Sequence, residues 1–225
     1  MAFTQRSTDD LAVAGLRLRT DGYAPLPRLL TPDGLQTLRT EAHRLAEIAR
    51  RRDFTMVCTD SSPRHMTTLG GHVIERESAL VRRLYEDPHL LALVAEVIGE
   101  TPVTVADPLE RYVLNILHRV GDTHGAHTDD HPYALVLFLE APDGPGAGGL
   151  LEYVPRAGAL ADLNTGTALS AHHRAGDAYL LRSDTTAHRV TSLEHAGVRR
   201  TVLNLAYTTR SATPRSTPSA RALYM

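Results

Sequence analysis

Beyond residue 100 the chain breaks into short apolar runs separated by turn residues, and this pattern limits its fold more than any other feature. The runs lie at 103–106, 111–118, 133–140, 150–154, 178–181, 188–191 and 201–208. Each is four to eight residues long, a length that suits strands rather than helices. The glycine-rich stretch 143–149 and the turn Ala175-Gly176-Asp177 separate some of them. That stretch reads as a β connection and not a phosphate loop, because Pro145 interrupts it and no helix follows. Several strands at such spacing predict a double-sheet β barrel rather than alternating βα units.

The first 100 residues read mainly as helix. Thr31-Pro32-Asp33 supplies an N-cap, a proline at the first helical position and an acid in the first turn. Leu35, Leu38, Ala42, Leu45 and Ala49 follow at helical spacing. Arg50 to Arg52 are expected to close that helix, where cations favour the carbonyl end. The segment 55–71, with Ser61-Ser62-Pro63 and Gly70-Gly71, reads as irregular. A second helical block is predicted over 78–98, broken near Asp87-Pro88 and stopped by Gly99. The expected class is thus mainly β with N-terminal helices. It forms one domain in which 1–100 is helical support, 101–210 is the β core and 211–225 is a tail. The tail, rich in Ser, Thr, Pro and Arg, is either loose or folded back over the barrel mouth.

Composition narrows the function. The 26 acidic and 24 basic side chains, all of the latter Arg, leave a net charge of -2. That charge gives no general attraction to nucleic acid or to an anionic membrane. No apolar run approaches the roughly 20 residues of a membrane span. The charged residues among 1–20 do not suit a signal peptide, so a cytoplasmic location is expected. Cys58 is the only cysteine, which excludes an internal disulfide and any cysteine-based metal cluster. It reads as a small buried or semi-buried side chain.

His127-Thr128-Asp129 is the candidate metal motif. Residues two apart in an extended segment point to the same side, so His127 and Asp129 present an imidazole and a carboxylate together. With 12 His and 15 Asp in the chain, about one such triplet arises by chance. Its position raises its value. His188 opens a later apolar run, and Arg199-Arg200 lead the last one. Two His and one carboxylate leave three adjacent positions open, as in the facial triad of non-haem Fe(II) oxygenases. An Arg opposite those positions suits a dicarboxylate cosubstrate.

The order His-x-Asp, then Gly148-Gly149 before a strand, then Gly176-Asp177, then His188-Arg189-Val190, then an Arg-led strand resembles the Fe(II)/2-oxoglutarate-dependent dioxygenases over about 111–207. The resemblance implies a double-stranded β-helix, or jelly roll, with N-terminal helices. It implies Fe(II), 2-oxoglutarate and O2, with His127, Asp129 and His188 as catalytic metal ligands. The run from His127 to Pro142 is similar to the BesD-type enzymes that act on free amino acids such as lysine. Halogenases of that group have Gly where this chain has Asp129, so the resemblance implies a hydroxylase.

The same resemblance implies substrate roles for Arg64, Glu110, His124, Asp130 and Asn204. Arg64 and His124 would hold a carboxylate, Glu110 and Asp130 an ammonium or guanidinium. Asp130, next to Asp129, is expected on the other side of the strand. The family's Trp near the C-terminus is absent, and Tyr224 is the candidate stand-in. Strand parity pairs Arg200 with Asn204 on one face and Arg199 with Thr201 on the other. Arg200 is favoured for 2-oxoglutarate, with Arg199 the alternative. His172 and His173 read as loop residues, and His131 as polar surface.

The expected activity is hydroxylation of an unactivated C–H of a free, basic or polar amino acid. A larger, peptide or carrier-tethered substrate, with hydroxylation or desaturation, is the alternative. A non-catalytic jelly-roll binding protein and a zinc hydrolase are less favoured, since neither needs the Arg-led last strand. The expected partner is a small-molecule amino acid, with no nucleic acid and no membrane. Monomer and homodimer both stay open.

Overall fold

The strand 133–140 has seven of its eight residues buried. Its two faces enter different cores. Tyr133, Leu135, Leu137 and Leu139 pack toward the helices. Ala134, Val136 and Phe138 face the barrel interior. Burial on both faces explains why this run reads as continuously apolar instead of alternating.

The structure is a computed structural model and describes residues 2–156, 158–212 and 218–225. The strands are β1 (Tyr23–Leu26), β2 (Arg50–Met56), β3 (Ser62–Leu69), β4 (Val103–Thr104), β5 (Tyr112–Leu117), β6 (Thr123–His127), β7 (Tyr133–Glu140), β8 (Leu151–Tyr153), β9 (Leu169–Ala171), β10 (Ala178–Leu181), β11 (His188–Val190) and β12 (Arg200–Thr208). The helices are α1 (Thr8–Asp21), α2 (Pro32–Ala46), α3 (Gly71–Glu77), α4 (Ala79–Tyr85), α5 (Pro88–Ile98) and α6 (Pro218–Tyr224). The antiparallel sheet runs β1-β10-β7-β12-β5-β3-β6-β11-β8-β9, with β2 on β3 and β4 on β12. It curls into a jelly roll with N-terminal helices packed on one face, the fold class the sequence predicts.

The helix signals hold where they were strongest. Thr31 caps α2 by accepting from Gly34 N–H. Asp87 caps α5 by accepting from His89 and Leu90, and Gly99 ends it at φ 76°. Such a cap contributes about 1 kcal/mol. Leu38, Ala42 and Leu45 of α2, and Leu90, Val94 and Val97 of α5, are buried in the core they share with the sheet.

The N-terminal hundred residues depart from the expectation. Arg50 to Arg52 do not close α2, which ends at Ala46; they begin β2. The segment expected to be irregular holds β3. β3 pairs with β2 on one edge, and on the other first with β6 and then with β5. It therefore joins the two halves of the roll. Close approach of β3 and β6 requires Gly125, since a Cβ there would lie 2.6 Å from Pro63. Also unmarked by the sequence patterns are α1 with its Ser7 cap, β1, α3, β6 and β9. Cys58 is exposed, not buried. The stretch 143–149 contains a short 3-10 turn, Pro145–Ala147.

The tail folds back. Ala220 and Leu223 of α6 are buried. Leu223 packs with Met56 and Met66 from the β2–β3 pair. Of the tail, 213–217 lies outside the described residues. No described helix is long and apolar enough to cross a membrane.

Candidate active site

β6 ends and β11 begins at a cross-strand pair, His127 opposite His188. Paired residues on adjacent antiparallel strands share a face, so both imidazoles enter the barrel, their ring centroids 4.1 Å apart. Asp129 follows β6 and is held by its N–H bond to the Ser183 carbonyl, 2.8 Å. One ligand atom from each of His127, Asp129 and His188 lies within 4.8 Å of the others. His127 Nε2 is 3.6 Å from the Asp129 carboxylate.

Both rings are oriented from behind. His127 Nδ1 is 2.7 Å from the Gly125 carbonyl, and His188 Nδ1 is 2.9 Å from the Thr186 carbonyl. A carbonyl only accepts, so each Nδ1 carries its proton and each Nε2 offers a lone pair inward. Burial, then His124, His188 and Arg64, holds His127 neutral, well below the usual imidazole range. Burial raises the Asp129 carboxyl. A half-buried carboxyl beside two lone pairs could hold a divalent metal.

Two cavities meet at the triad, sharing His124, His127, Asp129 and Tyr224. The inner one reaches His188, Tyr179, Asn204 and Arg200. Arg200 is 3% exposed and has no carboxylate partner among the described residues. Its guanidinium lies 4.9 Å from the Phe138 ring centre, with Tyr179 beside it in the same cavity. Burial lowers its pKa. Arg200 Nε and Asn204 Oδ1 are buried without a protein partner. Buried polar atoms are normally satisfied, so an anion with acceptor oxygens fits Arg200 Nε, while Asn204 Oδ1, itself an acceptor, asks for a donor.

Arg200 and Asn204 thus share the inner cavity, as strand parity predicts. Arg199 points to the other face of β12, where it donates to Glu140 at 2.7 Å. Glu140 also accepts from Thr201, which pairs with it across the ladder.

The outer cavity is lined by Arg64, Glu110, Asp130, Thr59 and the shared residues. Arg64, 1% exposed, donates to Ser62 Oγ at 2.7 Å and the Pro63 carbonyl at 3.0 Å, with Nε unpartnered. Burial lowers its pKa to about 10. Burial, then Asp130 and Asp129, pushes Glu110 up to about 8. Arg64 and Glu110 form no ion pair. Asp130 is buried on the cavity side, contrary to strand parity, because β6 has ended at His127 and the chain is turning.

His124 also enters the site, where its ring stacks on His127 at 4.1 Å. Simple alternation would send it outward. On β6, the four residues 124 to 127 oppose the three residues 188 to 190 on β11. This bulge brings His124 back to the inner face. Tyr224 bonds Asn115 and lines both cavities. A Cβ at Gly70 would lie 2.8 Å from Tyr224 Cβ, so α6 needs that glycine.

Three residues carry more than the sequence suggests. His131 lies 3.5 Å from Glu110 rather than on the open surface. His173 is buried against Phe138, and Tyr179 stands beside Arg200. His173 sits among polar and small residues that resemble a loop, and only long-range contacts bury it.

The model of the Halogenase D family matches residues 6–223. The chain belongs to that family. Among curated proteins nothing matches. The fold is similar to the epimerase SnoN in complex with Fe3+, alpha ketoglutarate and nogalamycin RO, with 18% identity, TM-score 0.72, and 93% of this chain and 88% of that one covered. It is similar to AviO1 from Streptomyces viridochromogenes Tue57, with 23% identity, TM-score 0.71, and 94% and 100% covered. A Pseudomonas putida prolyl-4-hydroxylase is similar at 19% identity and TM-score 0.61, with 89% and 100% covered.

Proposed function

We propose that this Halogenase D family member is an Fe(II)- and 2-oxoglutarate-dependent oxygenase that hydroxylates an unactivated C–H of a free, basic or polar amino acid. The observation that carries the reading is the placement of a buried, carboxylate-free Arg200 in the same cavity as three converging ligand atoms. Iron with 2-oxoglutarate and O2 supplies the oxidising chemistry when bound; the protein supplies position and selectivity.

His127 Nε2, His188 Nε2 and an Asp129 oxygen would hold the metal. Arg200, with the Tyr179 hydroxyl beside it, binds the distal carboxylate of 2-oxoglutarate through paired N–H donors. In the outer cavity Arg64 and His124 take the substrate carboxylate. Glu110 and Asp130 take its cationic group. Burial leaves the Glu110 carboxyl protonated at neutral pH, so docking a cation there drives its proton off. The Asp129 carboxylate is the reason for reading a hydroxylase, since it fills the position a halide would need. The α6 roof supports a free small molecule over a tethered one, because Leu223 and Tyr224 lie across the outer cavity.

The test is succinate formation from 2-oxoglutarate with Fe(II) and O2 across free lysine, ornithine, arginine and histidine. One amino acid is expected to raise succinate and give a matching hydroxylated product. No stimulation by any of them, with 2-oxoglutarate still bound, moves the reading to larger substrates. Asp129→Gly is expected to lose hydroxylation, and full activity in that variant removes Asp129 from the ligand set.

A further inference from the structure

Arg200 has a long, flexible side chain, yet its guanidinium must sit at one depth to receive a carboxylate. What holds it comes from four separate parts of the chain. Tyr179 on β10 stands beside it in the inner cavity. Phe138 on β7 offers the ring it lies over, 4.9 Å away. His173, in the connection between β9 and β10, stacks flat on Phe138, with centroids 4.4 Å apart and planes 16° from parallel. The same imidazole touches Tyr179, centroids 5.0 Å apart. Tyr23 on β1 meets His173 Nε2 through its hydroxyl at 2.9 Å.

This stack is buried throughout. Tyr23, Phe138, Tyr179 and His173 are all under one-tenth exposed. Stacked aromatic pairs and a desolvated cation over a ring hold together more strongly than their buried area alone provides. Phenylalanine at 173 would stack equally well but would give Tyr23 nothing to hold. Burial, then Arg200, pushes the His173 pKa down to about 3, so the ring is neutral and does not repel the guanidinium it supports.

We infer that the Tyr23–His173–Phe138 stack is a backstop that fixes the depth of Arg200, making His173 a positioning residue that selects the chain length of the 2-oxo dicarboxylate. The inference rests on the reading of the inner cavity as the 2-oxoglutarate site. One end of that ligand is tied to the triad and the other to Arg200. The spacing of two fixed points then admits five carbons and resists the six of 2-oxoadipate. Loosening the backstop lets Arg200 retreat, which weakens the shorter acid and relieves the longer one.

The experiment is calorimetric binding of 2-oxoglutarate and 2-oxoadipate to protein loaded with Mn(II), without turnover. Wild type is expected to prefer 2-oxoglutarate. His173→Ala is expected to lower that preference about tenfold, or 1.4 kcal/mol, with Mn(II) affinity unchanged. His173→Phe, which keeps the stack but leaves the Tyr23 hydroxyl without its partner, is expected to lower the preference only a few-fold, between wild type and His173→Ala. Tyr23→Phe, which removes one hydroxyl, is expected to lower it a few-fold and decides the matter if His173→Ala fails to fold. An unchanged ratio in His173→Ala, or in Tyr23→Phe where the former is unfolded, overturns the inference while leaving the cosubstrate reading intact. Failure of wild type to bind either acid, with Mn(II) bound, overturns both.

Discussion

The two cavities that meet at His127 and Asp129 are built on different electrostatic plans. The inner one adds to the shared triad a single buried cation, Arg200, beside uncharged residues such as Tyr179 and Asn204. The outer one carries both signs, Arg64 against Glu110 and Asp130. A lone cation asks only for an anion and must select by reach. A chamber of mixed charge reads a zwitterion, because a ligand with one sign would leave the other buried and unmatched. The same barrel thus separates two kinds of selectivity by a few residues.

That contrast can be broken from the middle or sharpened from either end. The largest effect is expected for His188→Ala, which serves both cavities. Iron affinity, measured by titration, should fall by more than about 100-fold, and turnover should vanish. Retained iron binding and activity would remove His188 from the triad. Next comes Arg200→Leu. Its loss should weaken 2-oxoglutarate binding by about 2–5 kcal/mol without moving the amino-acid dissociation constant. A comparable change in both constants would mean the cavities are not separate.

Glu110→Gln should act only on the outer side, raising the amino-acid KM by roughly tenfold for a lost charged hydrogen bond. It also has a pH signature. Glu110 is raised to about 8 in the fold, so the folded state holds a proton that the unfolded chain releases at ordinary carboxylate pH. Its contribution to stability is therefore lost as pH rises from about 4.5 toward 8. Metal-free Glu110→Gln should melt higher than wild type at pH 8 and differ little at pH 5; an equal gap at both values would contradict the burial of this acid. The smallest effect is expected from Tyr224→Phe. Loss of one hydrogen bond costs about 1 kcal/mol, and a wall shared by both cavities should shift both binding constants alike.

His188 opens an apolar run that is hard to misread; His127 and Asp129 stand at the end of β6, which no apolar run marks, and only their His-x-Asp spacing points to them. Arg200 was legible because parity along β12 ties it to Asn204. The N-terminal strands were not. β2 reads Arg-Arg-Arg-Asp-Phe-Thr-Met, and a basic run after a helix imitates a helix end. β3 carries Pro63 near its start, which argues against a central strand. His124 depended on a bulge that no residue announces. Asp130 was misdirected by extending strand alternation one turn too far. His173 depends on Tyr23, 150 residues away, and no local pattern carries information over that distance.

The order of the sheet also bears on how the protein is made. β12 spans 200–208 and lies between β7 and β5. Until it has left the ribosome, the half containing β1, β10 and β7 shares no edge with the half containing β5, β3 and β6. Two long edges must wait unpaired, the condition in which nascent chains associate wrongly. Arg200 is the first residue of the strand that ends this wait. Sheet closure and the arrival of the inner-cavity cation are therefore one event. A chain stopped before it has an open sheet and an inner cavity without its cation.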